Sequence, residues 1–161
     1  MAGETSQYEP LLFEHTNPVQ APHDSKYHLT EDLAEKAIQW IRTSQTLNPD
    51  KPFFVYFTPG AVHGPHHIFK EWADKYEGKF DEGWEALRTM TFAKQKELGW
   101  IPQDAVLNPL ASTQQKWDDI PTSQREFQSR LMEIYAGFLE HTDVQYGKIV
   151  DELERQGELD N

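Results

Sequence analysis

Three histidines, His63, His66 and His67, fall within the six-residue segment VHGPHH. Imidazole is the side chain whose ordinary titration lies nearest neutral pH, so such a cluster can exchange protons or ligate a transition metal. A metal set would want a carboxylate partner; none is evident nearby, and Pro65 restricts how the three rings converge. The reading adopted is that His63 is the reactive or substrate-contacting group, with His66 and His67 as residues around it that orient it. No metal ligands are assigned.

Other clusters have blander readings. Asp118-Asp119, between Trp117 and Ile120-Pro121, suits a solvated loop or the approach to a helix. Glu140, Asp143, Asp151, Glu152 and Glu154 belong to one helical stretch, where exposed charge is the ordinary state. His141 among them reads as a partly buried packing residue. Lys70, Lys75 and Lys79 could flank an anion but read as solvated surface.

The histidines need an element to carry them, and Lys51 to His67, KPFFVYFTPGAVHGPHH, supplies one. The unbroken run Phe53–Phe57, ended by Thr58-Pro59-Gly60, has the composition of a buried strand in a parallel sheet covered on both faces. In open α/β sheets working groups gather beyond the carboxyl ends of strands, which is where the three histidines sit. Upstream, Thr30 is an expected N-cap with Glu31 and Asp32 in the first turn. Leu33, Ala37, Ile38 and Ile41 then mark a helical face ending near Thr43. Residues 1–28, with Pro10, Pro18 and Pro22, read as irregular.

Downstream, Phe69 to Tyr76 suits a short helical turn, and Trp84 to Leu98 a helix ended by Gly99 and Pro102. Residues 99–121 read as a long loop. Phe127, Leu131, Ile134, Tyr135, Phe138, Thr142, Tyr146, Ile149 and Leu153 recur at helical spacing, predicting a helix from near Ser123 to Gly157. One strand among three helices cannot satisfy its own backbone donors and acceptors. The pattern is that of an α/β domain in part.

The formal net charge of −12 disfavours nucleic acid and anionic membrane surfaces as partners. With no cysteine, disulfides, Cys-ligated zinc and cysteine nucleophiles are excluded within these 161 residues. Five Trp, six Tyr and nine Phe give enough aromatic surface for a packed structure. No apolar run approaches the roughly 20 residues of a membrane span. No signal peptide is visible in Met1 to Pro10.

Several stretches, in order, resemble the sulfatases, specifically the arylsulfatase branch of the alkaline-phosphatase superfamily. They are Gly3-Glu4-Thr5-Ser6-Gln7 with Pro18-Val19, YHLTEDLAEKAIQWI (Tyr27 to Ile41), and the strand and histidine loop. KEWADKYEGKFDEGWEALR (Lys70 to Arg88) and Tyr135 to Asn161 complete the set. The resemblance implies an α/β, alkaline-phosphatase-like sandwich, here an incomplete and mostly helical portion with few strands. It implies cleavage of a small-molecule sulfate ester by a formylglycine nucleophile with a calcium ion, and an exported parent is plausible. It places His63 at the histidine that contacts the ester and assists the leaving oxygen.

Departures from the family pattern bound that expectation. The Cys/Ser-x-Pro-x-Arg nucleophile motif, the Asp-Asp calcium pair and the Gly-Lys-x-His segment are absent. Asp160-Asn161 matches the family's helix-to-strand turn, not its metal-binding pair. The expectation is therefore that residues 1–161 form a central segment of a sulfatase catalytic domain, lacking the nucleophile region and the C-terminal part, and inactive alone. Two alternatives stand beside it: a catalytically dead helical interaction module, and a phosphatase or phosphonate hydrolase relative.

Overall fold

The computed structural model describes residues 5–160. Gly3 and Glu4 of the first motif, and Asn161, lie outside the described residues. The fold is mostly helical. Strands β1 (Leu12–Glu14) and β2 (Asn17–Val19) pair antiparallel, with Glu14 opposite Asn17. Four helices follow: α1 (Leu29–Leu47), α2 (Lys70–Asp74), α3 (Gly83–Glu97) and α4 (Thr122–Gln156). A 3₁₀ turn at Trp117–Asp119 precedes α4.

The hairpin corrects the irregular reading of residues 1–28. Its two-residue turn places His15 at φ 56°, in the left-handed region. That conformation ordinarily announces itself as glycine or asparagine, so the turn carried no signal in the sequence. Pro18 is tolerated because β2 is an edge strand. Helix α1 begins at the expected place but is capped differently. His28 is the N-cap, its Nδ1 accepting from the Thr30 backbone N–H at 3.2 Å, while Thr30 itself is buried in the first turn. The helix also runs one turn beyond Thr43, to Leu47.

The segment 53–58 is not a paired strand. Its residues alternate between half-buried and exposed, the period-two signature of an extended backbone. Residues 52–59 make no backbone–backbone hydrogen bond among the described residues. One face packs: Phe53 lies edge-on to Trp40, and Phe57 edge-on to Tyr146, whose hydroxyl donates to the Phe57 carbonyl at 3.3 Å. The other face is open, with Phe54 84% and Tyr56 81% exposed. The expected burial on both faces fails because, among the described residues, no neighbouring strand lies beside it.

Helix α4 is the scaffold against which α1 and α2 pack. Its start and its stop at Gly157 agree with the sequence; Gly157 adopts φ 76° and lets the Glu158 N–H reach the Leu153 carbonyl. Its buried face, however, is rotated from the expected apolar stripe. The buried line is Ser129, Glu133, Gly137, His141 and Gln145, spaced by four, with Phe138 and Thr142 beside it. Phe127 and Tyr146 of the expected stripe are exposed.

Much of the polar line is bonded, although Gln145 Oε1 and His141 Nδ1 are buried without a hydrogen-bond partner. Glu133 Oε1 accepts from the Gly78 N–H at 2.9 Å, and Ser129 Oγ donates to the Phe80 carbonyl at 3.3 Å. Arg130 bridges Glu133 and Asp74, each at 2.8 Å. Gly137 brings α4 onto the backbone of α2: a Cβ there would lie 2.7 Å from the Trp72 carbonyl carbon.

Helix α3 stands to one side, tied through Trp84, which packs edge-on to Trp117, and through Glu85, which accepts from the Trp117 N–H. Gly83, at φ 82°, lies under the Trp117 ring.

Candidate functional site

The histidine loop leaves the extended segment at Thr58-Pro59-Gly60 and runs directly into α2. Two short turns shape it: the His63 N–H donates to the Gly60 carbonyl at 2.9 Å, and the His67 N–H to the Pro65 carbonyl at 2.8 Å. Gly60 lies close under the end of the Gln7 side chain: a Cβ there would stand 2.7 Å from Gln7 Nε2.

The three histidines occupy different environments. His63 is exposed, and its Nδ1–H donates to the Gly64 carbonyl at 2.8 Å. A carbonyl only accepts, so Nδ1 carries a proton and Nε2 is the basic nitrogen of the neutral ring. His66 is also exposed; its Nε2–H donates to the Val62 carbonyl at 3.1 Å, with its ring edge-on to Tyr135. His67 is half-buried and stacked on Tyr8, ring centroids 5.2 Å apart. Its Nδ1 accepts from the Gln7 N–H at 3.4 Å.

Both outer histidines are thus committed to the local frame. Among the described residues no group of three His, Asp or Glu side chains is arranged to hold a metal ion. The calcium ion and formylglycine that the family resemblance implies therefore find no donor set and no precursor cysteine in this segment.

Beneath the loop lies a cluster that the sequence reading did not pick out. His28 and His141 are buried, 1% and 0% exposed, with ring centroids 4.4 Å apart. His28 Nε2–H donates to the His67 carbonyl at 3.0 Å. His141 Nε2–H donates to Glu31 Oε1 at 2.8 Å, and its ring lies edge-on to Trp72. Gln7, also buried, accepts from the Leu29 N–H at 2.8 Å through its carbonyl. Burial pushes His28 down to about 4 and holds His141 below the ordinary histidine range, although Glu31 pulls the latter upward. The only available signal was a histidine standing just before a helix start, a position that usually belongs to Ser, Thr, Asn or Asp.

The remaining charged candidates are structural. Lys75 pairs with Glu140 at 3.0 Å and lies over the Trp72 ring, Lys79 lies over Tyr76, and Lys70 pairs with Asp74. Asp118 and Asp119 sit exposed in the 3₁₀ turn. Glu152 departs from the expected exposed state: its side chain is 3% exposed and clamped by Arg42 at 2.6 Å and by Arg155. These partners, Arg42 foremost, hold its carboxyl well below the usual range.

The family model described as Sulfatase matches residues 2–161. The chain belongs to the sulfatase family. It is 33% identical over 153 residues to an uncharacterized sulfatase of Schizosaccharomyces pombe, covering 94% of this chain and 27% of that protein. It is 24% identical over 139 residues to an arylsulfatase of Klebsiella aerogenes, covering 86% of this chain and 29% of the relative. This sulfatase segment therefore spans a little over a quarter of the length of the curated relatives it matches.

Proposed function

We propose that residues 1–161 are a central segment of the catalytic domain of an arylsulfatase-like sulfuric ester hydrolase, and that His63 is its substrate-facing group. The observation that carries the reading is the placement of His63: exposed, one short loop beyond an extended aromatic segment. With Nδ1–H anchored on Gly64, Nε2 is the atom that takes and returns a proton. Protonated, its Nε2–H donates to the bridging ester oxygen as the bond from that oxygen to sulfur breaks, so the alcohol leaves neutral; the neutral ring then regains a proton from solvent. Imidazole performs both roles near neutral pH.

In this reading the nucleophile and the calcium ligands are supplied from outside these 161 residues. The open edges of residues 53–58 and the bare faces of Phe54 and Tyr56 support the partial-domain reading. In the complete domain, neighbouring strands would satisfy those edges.

The test uses a chromogenic aryl sulfate with calcium. In the complete sulfatase polypeptide, His63→Ala lowers turnover about 10²- to 10⁴-fold, the ordinary worth of a positioned acid–base group. The isolated 161-residue chain shows no turnover. Robust hydrolysis by the isolated chain would overturn the partial-domain reading, and an unchanged kcat in the variant would overturn the role of His63.

A further inference from the structure

We infer that His28 is the positioning residue of the histidine loop: its neutral imidazole, protonated on Nε2, ties the first turn of α1 to the His67 carbonyl and thereby fixes the stretch that carries His63. The inference rests on the reading of His63 for its consequence in catalysis, but its structural part is tested separately.

Both ring nitrogens of His28 are assigned by their partners. Nδ1 faces the Thr30 N–H at 3.2 Å and must accept; Nε2 faces the His67 carbonyl at 3.0 Å and must donate. Only one neutral tautomer meets both demands, and an added proton on Nδ1 would oppose the Thr30 N–H. A serine, threonine, asparagine or aspartate would cap α1 as well, but none reaches a second backbone as distant as the His67 carbonyl. The choice of histidine is explained by the second bond.

The ring is held from every side. Phe69 and Phe138 lie 5.7 and 5.8 Å from it by ring centroid, Tyr8 is edge-on at 5.9 Å, and His141 is at 4.4 Å. Residues 6–8 clasp the same spot: the Gln7 carbonyl accepts from the Leu29 N–H, the Gln7 N–H donates to the His67 ring Nδ1, and Tyr8 stacks on that ring. The titratable groups facing the pair are Glu31 on α1, His67 in the loop, Lys75 just after α2 and Lys148 on α4. Of these only Glu31 carries negative charge, and it is bonded to His141, so His28 has no carboxylate of its own to stabilise a cation.

Two substitutions separate the two bonds. Asn places a polar atom where Nδ1 stands, so His28→Asn keeps the cap and loses the reach to His67. Gln places its amide where Nε2 stands, so His28→Gln keeps the reach and weakens the cap. Both are measured in the complete sulfatase polypeptide by amide hydrogen exchange, with the bonded amides of His63 and His67 as reporters. Expected is about tenfold faster exchange at those amides in His28→Asn, the worth of one lost hydrogen bond, and near-parent exchange in His28→Gln.

On the unaltered protein, ¹⁵N-detected histidine NMR is expected to show His28 neutral with its proton on Nε2 at pH 6–8. That measurement decides the matter should either variant fail to fold. A proton on Nδ1, ordinary titration near 6.5, or loop exchange unmoved by His28→Asn would overturn the inference. Turnover separates the two proposals. If His63→Ala is fully active while His28→Asn loosens the loop, the positioning stands and the role of His63 fails. If the reverse holds, the positioning fails alone.

Discussion

Gly137 and Gly147 lie in the same helix, ten residues apart in sequence, and respond to a methyl group with different signs. At Gly147 a Cβ meets nothing within 4 Å. Replacement by Ala removes the entropic cost of helical glycine and stabilises by about 0.5–1 kcal/mol. At Gly137 the same Cβ would stand 2.7 Å from Trp72 C and O and 2.8 Å from Ala73 N. Those atoms are backbone of α2 and cannot rotate away. Reaching ordinary contact at 3.4 Å requires α2 to retreat by about 0.6–0.7 Å, the difference between those distances.

Overpacking of this kind costs about 1–3 kcal/mol, which cancels or exceeds the helix-propensity gain. Because the propensity term is common to both variants, their difference isolates the steric term: Gly137→Ala falls below Gly147→Ala by about 1–3 kcal/mol. Urea midpoints in the complete sulfatase polypeptide read it, provided m is unchanged. The retreat also reaches the site, because α2 follows His67 after only Ile68 and Phe69, so hydrogen exchange at the His67 amide should rise in Gly137→Ala alone. Equal midpoints for the two variants would refute the close approach of α2 to α4.

Three further outcomes follow from the same geometry. His28, pushed down to about 4 by burial, favours the folded state when neutral; its contribution is complete above pH 6.5, declines by about 3 kcal/mol as pH falls to about 4, and is flat below. Denaturant midpoints taken across that window should lose this slope in His28→Asn, and an identical slope in both proteins would contradict the assignment. Gly83→Ala must place a Cβ 2.1 Å from Trp117 Cγ at φ 82°, so it should free the 3₁₀ turn and shift tryptophan emission to the red, at a cost of about 2–5 kcal/mol from overpacking and left-handed strain together. The isolated 161-residue chain, with Phe54 and Tyr56 bare, should aggregate or bind a hydrophobic dye as a molten globule does; Phe54→Ser with Tyr56→Ser should reduce that binding, and a sharp cooperative melt of the unaltered chain would contradict the expectation.

The sequence made the helices legible where the signal was local. Gly157 as a left-handed stop and Gly99 after α3 were readable because only the chain's own backbone decides them. The composition of 53–58 suggested a buried strand, but the segment is extended and unpaired, because pairing depends on other strands and none adjoins it among the described residues. The cap on α1 was misassigned because Thr30 is the better intrinsic cap; His28 takes the position through a tertiary bond to His67 that no local pattern encodes. His63 was singled out from its place after the apolar run and His141 as a packing residue, and His141 is indeed buried; what no local pattern gave was the cluster that Gln7, His28 and His141 form. Their roles arise from contacts between residues far apart in sequence, such as Glu31 with His141.

The rotation of α4 ties these observations together. Burying Glu133, His141 and Gln145 while leaving Phe127 and Leu131 exposed would be a costly arrangement for a free-standing helix packed by hydrophobic burial alone. It is intelligible if the helix serves two masters. Its polar line carries direction: Glu133 holds Gly78, Ser129 reaches Phe80, and His141 meets Glu31 and sets its ring, tilted, against His28, so α1, α2 and the histidine loop are docked in one register. Hydrogen bonds specify such a register where apolar packing tolerates sliding. Its apolar line, running beside Phe57 and the open aromatic segment, has no such specificity to supply and fits the broad burial that a sheet provides. The polar line thus fixes how α1, α2 and the histidine loop sit on α4, and the exposed apolar residues contribute nothing to that register.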